Sequence, residues 1–489
     1  MQIKKIVLII FSLHIIGEII SRENGSIHKV SNNEVNRELH FTVKNTPLFT
    51  ISKYLVGMHI VYATSNDRIY EDGSVVKWLK NTGVNTMRFP GGTVIKTWDW
   101  KNPSGHFRKD PWDSKWSYDK QSNPASWMSL DEYLDILDKT GMTPLFGVNI
   151  TSGFVYKKEK ESIARAVEML KYVKKRGYSG AFWYLGNEGM NGGGVSEAGI
   201  FKRHVKAMKA IDPDIKCMFN HNKLSDKYLI DYLKRTNGLV DIAETHGKYP
   251  YGGKGKKSVD VKEWQQERPL RDRKNGENGQ RNEKIGRAWR YTSDSLRDAA
   301  KKAGYPNLLI ANNEYGLGDD HLTGFNKYTK SLVMIDMLQE HFIGNWFMAC
   351  FWSMNRGKDS GLIAEYKNGL KLNPMHFGFE LLSKAQGGEM LNMEDQGDAS
   401  TYGFAAKKGD EYLVYILNKS SSTRKVNLSF DSSFSGVGHF KFLTGKTMID
   451  TKNHFGKLID NNMKKESNNS FSIELPELSY SLFTFKSTH

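Results

Sequence analysis

Two glutamates stand where apolar runs give way to glycine: Glu188 in "FWYLGNEG" and Glu314 in "LLIANNEYG". A lone glutamate at such a place is ordinarily a surface or ion-paired residue. Two of them on strands that face one cleft form a carboxylate pair, in which one side chain protonates a leaving oxygen while the other attacks carbon at a separation of about 5 to 5.5 Å. Arg88, in "MRFPGG", is placed to pair with Glu314 and keep it ionised, whereas Glu188 needs a setting less kind to negative charge if it is to hold a proton. The plain alternative for Arg88 is an ion pair that serves stability alone. Asn187 can donate to a sugar hydroxyl, or simply cap the helix that follows. His246, in "IAETHG", can reach Glu314 or a substrate, and a structural role suits it equally. Trp352 and the pair Trp98 and Trp100 in "TWDW" offer flat apolar faces for ring stacking, and a core position would suit them just as well. Tyr249, close after His246, completes the candidate substrate-binding set.

Positioning these groups requires elements that aim them at one place. Eight short apolar runs recur through the chain, at 55–61, 84–89, 143–150, 182–187, 215–221, 239–246, 307–314 and 345–352. Helical patterns separate them, as in "KESIARAVEMLKYVKKRG", where Ile163, Ala166, Val167, Leu170 and Val173 keep helical spacing up to Gly177. Buried strands alternating with helices predict a (β/α)8 TIM barrel over 49–375, whose catalytic groups gather at the strand C-terminal ends. A doubly wound open sheet is the competing arrangement, but no glycine-rich dinucleotide fingerprint follows the first strand. Beyond 375 a last helix gives way to short alternating strands such as "EYLVYILNKS" and "FSIELPELSYSLFTF", which predict an all-β sandwich over 376–489. A strand at 39–48 is expected to join it.

The bulk composition narrows the function classes. The chain has 489 residues and a formal net charge of +16, which attracts polyanions at long range but carries no nucleic-acid-binding motif. Cys217 and Cys350 lie in apolar runs and read as buried small hydrophobes. No metal-ligand motif and no phosphate loop occur, so neither metal nor cofactor is expected. "MQIKKIVLIIFSLHIIG" places two lysines before an apolar run too short to span a bilayer, which predicts a signal peptide over 1–21, then a polar leader over 22–38. The mature protein is therefore expected to be secreted or periplasmic, with no membrane partner. Two long insertions follow strand ends, one rich in Trp at 99–127 and one rich in Gly, Lys and Arg at 247–290. Between Lys248 and Arg290 there are 13 Lys and Arg against 6 Asp and Glu. On a barrel both insertions would crown the catalytic face.

With these residues in place, the chain resembles the retaining glycoside hydrolases of clan A. "RFPGGT" with "WDW", "WYLGNE" and "FKRHVKAMKAIDPDIK" look most like the α-L-arabinofuranosidase family and are also similar to β-xylosidases, heparanase-like glucuronidases and agarases. The resemblance covers the chain from about Phe49 onward. It implies Glu188 as acid/base and Glu314 as nucleophile, with Asn187, Arg88 and Trp352 matching subsite residues. The expected partner is a carbohydrate. The basic loop favours an anionic polysaccharide, sulfated or uronate-containing, bound through charge-assisted hydrogen bonds; a solvated charge run without a ligand is the simpler alternative. A carbohydrate-binding scaffold without turnover is the second function considered, and the presence of both carboxylates argues against it.

Overall fold

The computed structural model describes residues 38–62, 64, 69–101, 128–189, 195–220, 226–246, 264–265, 293–316, 326–355, 361–366, 369–395, 397–398, 400–431, 434–445, 457–462, 465–467 and 469–487. The expected signal peptide and nearly all of the leader, most of the Trp-rich insertion, and the basic loop apart from Trp264 and Gln265 lie outside these residues.

Each of the eight apolar runs holds a strand. They are β2 (Tyr54–His59), β3 (Thr86–Phe89), β4 (Thr143–Val148), β5 (Phe182–Leu185), β6 (Lys216–Asn220), β7 (Ile242–Glu244), β8 (Leu309–Tyr315) and β9 (Met348–Phe351), after the earlier strand β1 (Leu39–Thr50). β2 to β9 pair in parallel and β9 closes back on β2, forming a closed barrel. Parallel strands buried on both faces read as unbroken apolar runs. In β5, Phe182 and Tyr184 join the small cluster inside the barrel, while Trp183 and Leu185 pack outward under the helices.

A helix follows every barrel strand: Ser74–Thr82, Leu130–Thr140, Glu159–Lys175, Val195–Lys209, Asp226–Thr236, Ser293–Lys302, Lys327–Ile343 and Met375–Leu382. Local sequence sets their ends. Ser129 and Glu132 form a capping box before Leu130–Thr140, and Gly141 stops that helix in the left-handed region at φ 70°. Met375–Leu382 sets Phe379 against Phe351 and Trp78, with ring centroids 5.7 and 6.4 Å away. That helix belongs to the barrel ring, so a division at 375/376 cuts the eighth β/α unit apart.

Two short strands, β10 (Ile363–Glu365) and β11 (Lys371–Leu372), precede the C-terminal unit. Its strands are β12 (Glu389–Asp395), β13 (Thr401–Lys408), β14 (Glu411–Asn418), β15 (Arg424–Phe430), β16 (Phe434–Thr444), β17 (Lys457–Asn462), β18 (Lys465–Ser467), β19 (Ser470–Leu475) and β20 (Ser479–Ser487). With β1 they form one ten-stranded sheet in the order β17-β16-β20-β14-β13-β12-β1-β15-β19-β18. The sheet is sandwich-like. Tyr412, Val414 and Ile416 of β14 face a core shared with Phe41, Leu428, Phe471 and Phe485, whereas Leu413, Tyr415 and Leu417 pack into the barrel's own core. Burial on both faces explains why "YLVYIL" in β14 lacks polar alternation.

Candidate active site

Period-two alternation decides which side chains reach the barrel axis. Ile242 points inward from β7, so Glu244 does too, and the same phase carries His246 to the mouth. In β8 a register shift breaks this alternation. Asn312 pairs with Ala349 and Tyr315 with Phe351, so three steps on β8 match two on β9. Asn312 faces outward to His341, and Tyr315 packs outward on Phe351. The extra residue lets both Asn313 and Glu314 face the interior, as a β-bulge re-aims a side chain. Glu188 takes a different route. It lies beyond β5 with φ 54°, a left-handed conformation unusual for glutamate, between Gly186 and Gly189, also at positive φ. Its backbone N–H donates to Asn220 Oδ1 at 2.6 Å.

The two carboxylates converge on one imidazole. His246 Nδ1 is 3.1 Å from Glu188 Oε1 and 3.3 Å from Glu314 Oε2. One oxygen of each glutamate and this ring nitrogen all lie within 4.8 Å of one another. On the other side of the ring, Nε2 is 3.0 Å from both Glu244 Oε1 and Asn220 Nδ2. Arg88 is fully buried. Its Nη1 donates to Glu314 Oε2 at 3.0 Å and to the Asn313 carbonyl at 2.9 Å, and its Nη2 donates to Asn187 Oδ1 at 2.8 Å. The guanidinium also lies over the Tyr184 ring, 4.3 Å from its centroid.

Burial opposes the charge on Arg88, but Glu244, Tyr184 and Glu314 outweigh it and hold its pKa above the ordinary value. Burial likewise pulls the His246 pKa down, and the field of Glu314 with hydrogen bonds to Glu188 and Glu244 raises it to about 9. Spacing alone would let the three donor atoms reach one cation. Arg88 and a protonated His246 already supply the positive charge these carboxylates face, and we assign no metal to the cluster.

Glu188, Glu314, Arg88, Asn187 and His246 are thus brought into one cluster. Trp352 borders it: a Cβ on Gly92 would stand 2.9 Å from Trp352 Cζ3 and 3.1 Å from Glu314 Oε2, so the "PGG" turn passes over both with room only for glycine. The ring of Trp352 also meets that of His59, with centroids 4.4 Å apart. Trp98 is mostly buried, edge-on to Phe89 at 5.5 Å and near Tyr62 at 6.5 Å, and it lines a small pocket together with Trp100, Asn149 and Arg165. Tyr249 lies outside the described residues.

Sequence reasoning missed Glu244, Asn220 and Tyr184. For Glu244 a signal existed in "ETH": alternation from a buried strand makes the residue two before His246 share its face.

Comparisons with known proteins bear on the family and the fold. Residues 78–252 match the α-L-arabinofuranosidase 1 domain. An intracellular exo-α-(1→5)-L-arabinofuranosidase of Streptomyces lividans is 26% identical over 212 residues, covering 37% of this chain and 30% of that protein. The match thus spans under a third of that relative's length. Among solved structures, the α-L-arabinofuranosidase of Thermotoga maritima in complex with arabinose superposes with a TM-score of 0.67 at 18% identity, over 92% of this chain and 100% of that one. The family 51 enzyme AbfB of Bifidobacterium longum gives 0.68 at 13%, over 91% and 99%. CelM2, a bifunctional glucanase-xylanase from a metagenome library, gives 0.64 at 14%, over 92% and 100%. At such identities the structural likeness speaks for the fold. Taken together, the matched domain, the curated relative and the shared fold make this chain similar to the glycoside hydrolases of clan A.

Proposed function

We propose that the protein is a secreted hydrolase that cleaves glycosidic bonds with net retention, using Glu314 as nucleophile and Glu188 as acid/base. The observation that carries this reading is the convergence of the two carboxylates to within 4.8 Å. Retaining enzymes hold their carboxyl groups about 5 to 5.5 Å apart, whereas inverting enzymes need about 6.5 to 9.5 Å to admit a water. Glu314 faces Arg88 and His246 together, a surround that suits the group attacking as an anion. In the first step a bond forms from Glu314 to the anomeric carbon as the glycosidic C–O bond breaks, and the proton of Glu188 goes to the leaving oxygen. In the second, water attacks the same carbon, its proton passes to Glu188, and the Glu314 ester bond breaks. The Nδ2 group of Asn187 has no hydrogen-bond partner among the described residues. It is the donor available for a sugar hydroxyl.

The matched domain and the curated relative favour a terminal α-L-arabinofuranosyl unit as the first substrate to try. The excess of basic residues between Lys248 and Arg290 favours a second reading, an anionic polysaccharide, and hydrolysis that weakens steeply with added salt would select it. Glu188→Ala is expected to lose about 10²- to 10⁴-fold in kcat and Glu314→Ala about 10⁴-fold or more. Azide should revive both, giving a glycosyl azide of retained configuration from the first and of inverted configuration from the second. An inverted first product of the parent enzyme, followed by NMR, would refute the mechanism.

A further inference from the structure

The described residues place a third carboxylate beneath the site. Glu244 is fully buried at the end of β7, its Oε1 3.0 Å from His246 Nε2 and 3.9 Å from Arg88 Nη1. Its Oε2 has no hydrogen-bond partner among the described residues. A buried carboxylate with a bare oxygen is destabilising. A buried charge in that setting calls for a reason.

The hydrogen bonds around His246 supply one. Nδ1 lies between Glu188 and Glu314, and an ionised Glu314 calls for a hydrogen there. Nε2 faces opposing demands. The amide of Asn220 is oriented by its oxygen, which accepts from the Glu188 backbone, so its NH2 group is turned toward Nε2. That donor alone would suit a bare Nε2 and a neutral ring. Glu244 calls for Nε2–H, and an ionised acceptor outweighs a neutral donor. The charge around the ring agrees. Glu188, Glu244 and Glu314 face it from the turn after β5 and from β7 and β8, while Arg88 on β3 is the other cation; Tyr184 on β5 and Cys350 on β9 lie in the field of Arg88. Arg88 and a cationic His246 balance Glu244 and Glu314, which leaves Glu188 to hold the acid proton.

We propose that Glu244 is a positioning residue that holds His246 as an imidazolium, so that its Nδ1–H serves whichever catalytic carboxylate carries the negative charge. The inference rests on the double-displacement reading above. Before the first step the bond goes to Glu314. Once Glu314 is esterified and Glu188 has given up its proton, the same hydrogen serves Glu188 while it acts as a base. His246 transfers no proton; it follows the charge across a small distance without reorganising the site.

The test is Glu244→Gln, alone and combined with His246→Asn, in the full-length protein. The expected result for Glu244→Gln is a kcat lower by about 10- to 100-fold with little change in KM. The alkaline limb of its pH profile should lie at lower pH than in the parent, because the ring has lost its buried anion. Glu244→Gln should add nothing in the His246→Asn background. Glu244→Asp, which keeps the charge, should keep the parent's alkaline limb and provides the comparison if Glu244→Gln folds poorly. Additive losses, an unmoved alkaline limb, or a raised KM with unchanged kcat would overturn the assignment. Product stereochemistry of the parent separates the two failures: inversion sinks the double-displacement reading itself, and retention with additive losses sinks only the role of Glu244.

Discussion

The charges buried at the mouth of the barrel and those buried along its seam with the C-terminal sheet are balanced in different ways. At the seam, Lys419 lies 3.8 Å from Asp336 and both are fully buried. Asp336 accepts from the Trp264 indole N–H at 2.9 Å and from the Tyr402 hydroxyl. The ammonium of Lys419 sits over the Tyr402 and Trp264 rings, 4.9 and 5.7 Å from their centroids. Among the described residues the ammonium and the carboxylate face each other and these aromatic groups. At the mouth three carboxylates meet Arg88 and a titrating imidazole, and Glu244 keeps an oxygen without a partner among the described residues. A satisfied buried pair serves packing and register, whereas an unmatched one keeps a proton in play. Burial differs as well: Glu188 and Glu314 are 28% and 19% exposed, whereas Lys419 and Asp336 are at most 1% exposed, so a ligand can reach the chemical cluster and not the structural one.

The seam is where removing one partner should cost the most stability. Asp336→Ala leaves the Lys419 ammonium in a dry interior and is expected to lower the free energy of unfolding by about 3 to 5 kcal/mol. Adding Lys419→Met should recover at least about 1 kcal/mol of that loss, since the stranded charge is then gone. Urea melts of the two variants check this, and kcat measured far below the unfolding midpoint should remain that of the parent. A loss below about 1 kcal/mol for Asp336→Ala would mean the seam pair is solvated after all.

The mouth should instead reveal itself through pH. His246 has its folded-state pKa raised from 6.5 to about 9, so the native state holds its proton more tightly than the unfolded chain. The resulting stability is fully present below about pH 6.5 and is lost as pH rises through about 9, amounting to something on the order of 3 kcal/mol. His246→Asn should remove that alkaline decline. Urea midpoints of parent and variant at pH 6, 8 and 10 give the comparison; parallel curves would show that the ring is neutral in the native protein. Burial of His204 and His341 acts in the opposite sense, depressing their pKa values to about 4 and about 3. Their contribution is lost below pH 6.5, so the alkaline signal of His246 is not masked by theirs.

Legibility from sequence followed the same division. The barrel could be read because parallel strands buried on both faces produce apolar runs, and all eight runs hold strands. Glu188, Glu314, Arg88, Asn187 and His246 could be placed at strand ends because that is where a barrel gathers chemistry. The bulge in β8 that turns Glu314 inward leaves no local mark in "IANNEYG", because it depends on how β8 pairs with β9. Asp336 left no mark either, and Glu244 showed only through the alternation in "ETH". A carboxylate in a sequence looks solvent-exposed by default, and only the closing of the barrel and the seating of the sheet take these two out of water. Trp98, an aromatic beside a strand end, does both things the sequence allowed, packing on Phe89 and lining a small pocket with Trp100.

Charge on the outer helices supplies the low end of the scale. Arg176, at the end of Glu159–Lys175, reaches Asp131, Asp135 and Asp138 on the neighbouring helix at 3.1, 3.0 and 3.1 Å. Its hydrogen bonds to Asp135, then Asp138 and Tyr172, raise its pKa. By contact number this looks a stronger arrangement than either buried cluster. The three aspartates are more than half exposed, at 58%, 57% and 51%, so water competes for every one of them and salt screens the rest. Arg176→Ala is therefore expected to cost no more than about 1 kcal/mol, and most of that should vanish in 1 M salt, where the Debye length falls to about 3 Å. The Asp336→Ala loss should persist in the same salt. If the Arg176 loss proved as large and as insensitive to salt as the Asp336 loss, contact geometry rather than desolvation would be setting the worth of charge in this protein, and the contrast between mouth and seam would need another cause.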